Sequence, residues 1–152
     1  MKRLLITIIF SVFLYGQEFY NELPNLTGVS QLVIFQASIS SLEDGDEIGI
    51  FDESAILNSG DCSSQYGELL VGAGVWTGSQ LAQSSIGSID NCAFGGFQLP
   101  GFVSGHPVVV KVYRDGQVYD TNLTFSAGTG TFGDLFIVIS VSYTHLTLPT
   151  KA

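Results

Sequence analysis

The sequence predicts an all-β chain, an antiparallel β-sandwich of Ig-like or jelly-roll-like form with about seven to eight strands. Three observations carry this. Short runs rich in Val, Ile, Phe, Tyr and Thr recur along the chain. No stretch repeats apolar residues at helical spacing over a useful length. Glycine-bearing turns separate the runs, and no internal repeat points to a propeller or solenoid.

Taken in order, residues 17–28 carry Pro24 and little periodicity, and form a lead-in segment before a sandwich domain at 29–140. Residues 31–39 (QLVIFQASI) are the first strand. Asp44-Gly45-Asp46 then turns the chain into a second strand at 47–51 (EIGIF). Residues 52–67 read as a long loop with one helical turn at 54–57. The third strand, 68–76 (ELLVGAGVW), contains Gly72 and Gly74, which mark a bulge or a close backbone approach. Residues 81–89 fit neither period well and are assigned as a strand. Residues 91–105 hold four Gly, one Pro and three Phe, a folded loop that apolar contacts must pin down. Strands at 107–113 and 117–125 flank Asp115-Gly116, which suits a type I′ turn because Gly and Asp tolerate positive φ. Residues 132–139 (FGDLFIVI) supply the last strand.

The two termini read differently. Met1-Lys2-Arg3, an apolar run from Leu4 to Leu14 broken only by Thr7 and Ser11, and the small Gly16 fit a signal peptide at 1–16. That run is shorter than the roughly 20 residues a membrane-spanning helix needs, although an uncleaved anchor is the competing explanation. At the other end, residues 141–150 (VSYTHLTLPT) resemble the in-frame translation of a transposon-type sequencing adapter. On that resemblance 141–152 is an artefact tail, His145 and Pro149 carry no function, and the sandwich is a fragment of a longer protein.

Hydrophobic residues make up 45% of the chain and it contains 18 glycines, so the segment folds instead of remaining a disordered linker. All fourteen Asp and Glu lie between the signal-like segment and the tail, where the basic residues are Lys111 and Arg114. So acidic a surface lacks the cationic contacts that nucleic-acid phosphates require. Two cysteines, Cys62 and Cys92, occur in a chain that leaves the reducing cytoplasm, which favours a disulfide between them. Two buried free thiols, or partners elsewhere in a longer protein, are the alternatives. No Cys-x-x-Cys supports a thioredoxin or zinc-ribbon reading.

Gly45-Asp46-Glu47-Ile48-Gly49-Ile50-Phe51-Asp52, followed by Leu70-Val71-Gly72, resembles a β-sandwich module of large secreted bacterial proteins. Those proteins commonly carry sorting signals for type IX secretion. The resemblance covers about residues 28–139 and implies a secreted or outer-surface location, with no catalytic residues attached. Independently of it, strand alternation puts Ile48 and Ile50 on one side of the sheet and Phe51 on the other, so this strand is covered on both faces.

Two sites suggest themselves, each beside a plainer explanation. Glu43, Asp44, Asp46, Glu47, Asp52 and Glu53 crowd six carboxylates into eleven residues. Asp44, Asp46, Glu47 and Asp52 are the ligands calcium would take, joined by Asp61 and Asp90 if a disulfide gathers their loops. The spacing is not that of an EF-hand, and an acidic turn solvating a strand end is the plainer explanation and the preferred one. Trp76, Tyr66, Phe94 and Phe97, with Phe102, are candidates for an aromatic platform that stacks sugar rings, whereas Phe and a lone Trp ordinarily belong to a core. No nucleophile elbow, zinc-protease helix or phosphate loop occurs, and His106 is the one histidine before the tail. No catalytic residues are therefore assigned. The expectation is a noncatalytic secreted or cell-surface module, structural or adhesive. It would bind a glycan or surface protein and sit beside further domains of its own longer chain. A carbohydrate-binding module or a hydrolase accessory domain is the alternative.

Overall fold

The computed structural model describes residues 16–142. The signal-like segment and the adapter-like tail thus lie almost wholly outside the described residues. Ten strands are present among them: β1 (Ser30–Phe35), β2 (Glu47–Ile56), β3 (Tyr66–Val75), β4 (Leu81–Ile86), β5 (Ile89–Asp90), β6 (Gln98–Leu99), β7 (Val109–Arg114), β8 (Gln117–Asp120), β9 (Leu123–Ala127) and β10 (Phe136–Ser142). The first sheet runs β4-β1-β10-β9, the second β3-β2-β7-β8, and β5 pairs with β6 alone. Every pairing is antiparallel except β1 with β10, which run parallel with Leu32 opposite Phe136. The expected sandwich is thus present, with one parallel pair at the centre of its first sheet.

Alternation along the strands builds the core. Val33, Phe35, Ile137 and Ile139 from the first sheet meet Ile48, Ile50, Val71 and Val110 from the second. Each is at most 3% exposed, so the two inner faces are dry and apolar matter fills the gap. Gly72 and Gly74 do what a close approach requires. A Cβ on Gly72 would meet the Ser84 carbonyl and Ser85 Oγ at 3.0 Å, and one on Gly74 would meet Gln83 Oε1 at 2.9 Å. Edge strands β3 and β4 of the two sheets therefore close one side of the sandwich. The β2/β3 register also shifts between Ile50 and Phe51, so a bulge accompanies the approach.

Several expected boundaries are corrected. The first strand ends at Phe35, after which the chain turns and Ile39 returns to the core at 4% exposure. Residues 54–57 form no helical turn. Instead β2 continues to Ile56 through a second register shift, since its ladder with β3 extends to the pair Ile56–Tyr66. The single strand expected at 117–125 is two strands in different sheets. Thr121 and Asn122 carry the chain across, Thr121 Oγ1 donating to the Val110 carbonyl at 2.7 Å. Three successive polar residues at 120–122 interrupt the alternation there, a signal that separates the strands. The last strand starts at Phe136, not Phe132, and runs to Ser142. Backbone pairing asks nothing of side chains, so residues 141 and 142 extend that ladder whatever their origin. Asp115 and Gly116 have φ of 50° and 80°, as the expected hairpin turn demands.

Candidate functional site

The acidic motif at the start of β2 distributes its side chains to separate structural tasks. Asp46 is 2% exposed and accepts from Arg114 Nε at 2.6 Å and Arg114 Nη2 at 2.5 Å, while Arg114 Nη1 donates to Glu43 at 2.6 Å. The Asp46 hydrogen bonds raise the Arg114 pKa further above its ordinary value. Asp46 also accepts the Glu43 N–H, closing the turn. Glu47, 6% exposed, points the other way and accepts the backbone N–H groups of Glu18, Phe19 and Tyr20 at 2.8–3.0 Å. Asp52, 1% exposed, accepts from Ser54 N, Val103 N and His106 Nδ1 at 2.8–3.0 Å. Asp44 stays exposed beside Gly78. The expected calcium cage of Asp44, Asp46, Glu47 and Asp52 is therefore not assembled. Among the described residues no three His, Cys, Asp or Glu side chains gather in a way that could hold a metal.

Glu47 fastens the lead-in segment as a strap across the outer face of the second sheet. Tyr20, 5% exposed, packs edge-on against Phe51 with ring centroids 5.5 Å apart, and Phe19 stacks on Tyr113 at 3.9 Å. Gly49 makes room, for a Cβ there would lie 2.6 Å from the Phe51 ring and 3.1 Å from that of Tyr20. Phe51 is thus covered from outside while Ile48 and Ile50 face the core, as alternation predicts. Burial, then the Glu47 charge, pushes the Tyr20 phenol well above its usual pKa. Among the described residues its hydroxyl has no hydrogen-bond partner.

A different construction occupies one end of the sandwich, where the β2–β3 loop (57–65) meets the segment at 90–99. Cys62 and Cys92 form the expected disulfide. Two buried amides reinforce it. Gln98, 1% exposed, donates to Asp90 at 2.8 Å and accepts from Asn58 at 2.9 Å and Ser64 N at 3.1 Å. Asn58, 7% exposed, also donates to Asp61 at 2.8 Å and accepts the Gln65 N–H. Backbone bonds from Gly60 N to Gln98 O and from Gln98 N to Asp61 O complete the tie. Asp61 and Asp90 are solvent-exposed. Hydrogen bonds from the Ser63 N–H and hydroxyl and from Asn58 lower the Asp61 pKa; those from Gln98 and the Cys92 N–H lower that of Asp90.

The proposed aromatic platform divides. Trp76 is 2% exposed and Phe102 3%, both core residues, with Phe102 stacked on Phe132 at 4.4 Å. Their assignment to a platform is corrected: each belongs to the sandwich interior because the chain returns it under a sheet. Phe94, Tyr66 and Phe97 remain outside, at 91%, 56% and 47% exposure, all on the disulfide-tied end. Phe94 closes the short 3-10 turn Cys92–Phe94, which buries none of its residues. Asn58 and Gln98, which organise this end, escaped the sequence reading, because a polar amide carries no sign of burial. Comparison with known proteins is silent: no protein family, curated protein or solved structure matches the chain.

Proposed function

We propose that the chain is a noncatalytic module of an exported protein, secreted or held at the cell surface, structural or adhesive, whose contact surface is the disulfide-tied end. One observation carries this reading. The Asn58 and Gln98 amides of that end are turned inward and satisfied, while its aromatic rings are turned outward. Phe94 at 91% exposure gains nothing for the fold, since a ring left in water adds no burial energy. Isolated exposed apolar residues are ordinary, but three aromatic residues on a covalently braced end are the makings of an interaction site. The signal-like start, the disulfide and the resemblance of 45–52 to modules of secreted bacterial proteins support export.

Carbohydrate binding is the second reading, favoured by Tyr66 standing exposed beside the braced loops. The test is retention under flow. Beads coated with the oxidised chain are expected to adhere to protein- or glycan-bearing surfaces more firmly than uncoated beads, and reduction of the disulfide to abolish the difference. Beads held no better than bare ones on every surface would remove the adhesive role. Turnover in a hydrolase panel would remove the noncatalytic one.

A further inference from the structure

We infer that the disulfide-tied end binds a cationic segment of a partner protein, with arginine or lysine side chains laid over Phe94 and Phe97 and paired with Asp61 and Asp90. This rests on the reading of that end as the contact surface and names the chemistry of its occupant.

Charge makes the first argument. Neither 57–66 nor 89–99 contains a Lys or Arg. The two cations of the described chain are engaged elsewhere, Lys111 with Glu68 at 2.6 Å and Arg114 with Asp46 and Glu43. Arg114 also sits at the opposite end of β2, where Glu47 faces Tyr113, whereas the braced end begins where Ile56 faces Tyr66. Asp61 and Asp90 are exposed, and their internal hydrogen bonds hold them as carboxylates. The end is therefore uniformly negative and uncompensated.

The second argument comes from what the hydrogen-bonding groups are already doing. A sugar platform reads hydroxyls through polar groups placed around its rings, side-chain amides among them. Here the Asn58 and Gln98 side chains are buried and committed to Asp61, Asp90, Ser64 and Gln65. Left over are aromatic faces and net negative charge. An aromatic face attracts a cation through its quadrupole, and a guanidinium also pairs with carboxylates, so an arginine-bearing segment uses both. A neutral glycan would leave the negative charge unpaired.

Binding of an arginine–glycine repeat peptide to the full, oxidised chain tests this, beside the same peptide with citrulline for arginine and a panel of neutral oligosaccharides. The arginine peptide is expected to bind, more weakly as NaCl rises, and the citrulline peptide not to bind. Phe94→Ser keeps the net charge and is expected to weaken binding by about tenfold or more, as loss of a central aromatic anchor does. Asp115→Asn, which removes a charge on the far hairpin, should leave binding unchanged. Unaltered melting of Phe94→Ser confirms that it folds. Equal binding to wild type and Phe94→Ser would mean general attraction to an acidic protein and overturn the inference. Oligosaccharide binding that Phe94→Ser abolishes would overturn the cationic partner and keep the contact surface. Silence in every arm would count against both.

Discussion

The strap over the second sheet and the disulfide-tied end are built from the same materials and put them to opposite uses. Each joins irregular backbone to strands through acidic or amide side chains, and each carries aromatic rings. In the strap the carboxylate of Glu47 grips three backbone N–H groups and the Tyr20 ring goes underneath, to 5% exposure. At the braced end Gln98 and Asn58 lie underneath, and Phe94 stays outside at 91%. Where one ring is buried, as Tyr20 is, the other is stacked on the sheet, as the 47%-exposed Phe19 is on Tyr113, and the polar anchor is spent on backbone, the segment is architecture. Where the polar anchors are buried and the rings are not, the segment has surface left for something else.

Deleting one ring from each region breaks or sharpens that contrast most directly. Tyr20→Ala is expected to cost about 3–5 kcal/mol in urea unfolding, the range for truncating a large buried aromatic. Phe94→Ala is expected to change stability by less than about 0.5 kcal/mol, as exposed positions do. Similar costs at the two sites would dissolve the distinction. Next comes the brace itself. Cys92→Ser opens a closure between cysteines 30 apart in sequence and is expected to cost roughly 3–4 kcal/mol in the chain-entropy treatment. Because the strap makes no contact through that disulfide, amide protection of Glu18 to Tyr20 should fall only as far as global stability does. Selective loss of strap protection would show that the two regions are coupled.

The contrast also explains which parts of the molecule were legible in the sequence. Strand alternation and the Asp115-Gly116 turn belong to local rules, so the sandwich and its hairpin follow from them. So do Phe51 on the outer side of β2 and the close approach at Gly72 and Gly74. Pairing the cysteines needed only the expectation of export and their number. The acidic motif misled, because six neighbouring carboxylates resemble a cation site until the fold sends Asp46 to Arg114, Glu47 to the strap and Asp52 to His106. Those partners lie 27 to 68 residues away, and nothing local announces them. The same distance hid Gln98, whose burial depends on a loop that arrives from the other side of the disulfide.

A smaller effect separates the ring of Tyr20 from its hydroxyl. Burial leaves that hydroxyl without a partner among the described residues and raises its pKa, so the phenol binds its proton more tightly in the folded chain than in the unfolded one. A raised pKa contributes stability that is intact below the ordinary phenol value of about 10 and is lost as pH climbs beyond it. Alkaline unfolding should therefore steepen above about pH 10 in the native chain. Tyr20→Phe keeps the ring and removes both the orphaned hydroxyl and its titration. It is expected to match or exceed native stability by about 1 kcal/mol at neutral pH and to flatten the alkaline limb. A loss of stability in Tyr20→Phe would mean that the hydroxyl has a partner after all.

The smallest expected effect lies at the braced end, in acid. Asp61 and Asp90 have lowered pKa values because Ser63 and Gln98, respectively, are the chief donors to their charged forms. A lowered pKa means the opposite sign from Tyr20. The stabilisation is present above the ordinary carboxylate value of about 3.9 and fades as pH falls through the folded one. Both carboxylates are fully exposed, so solvent screens the gain and melting temperature is a blunt probe of it. The backbone N–H groups of Ser63 and Cys92 are sharper reporters, since each donates to one of these carboxylates at 3.1 Å. Their amide proton shifts should titrate together with Asp61 and Asp90, with midpoints below about 3.9. Below those midpoints the end loses its charge while Phe94 stays exposed, so affinity for the arginine peptide should fall on the same curve. Midpoints at or above the ordinary value would show that the hydrogen bonds to these carboxylates do not hold in solution, and with them would go the reason for assigning the Asn58 and Gln98 amides to architecture and the rings to contact.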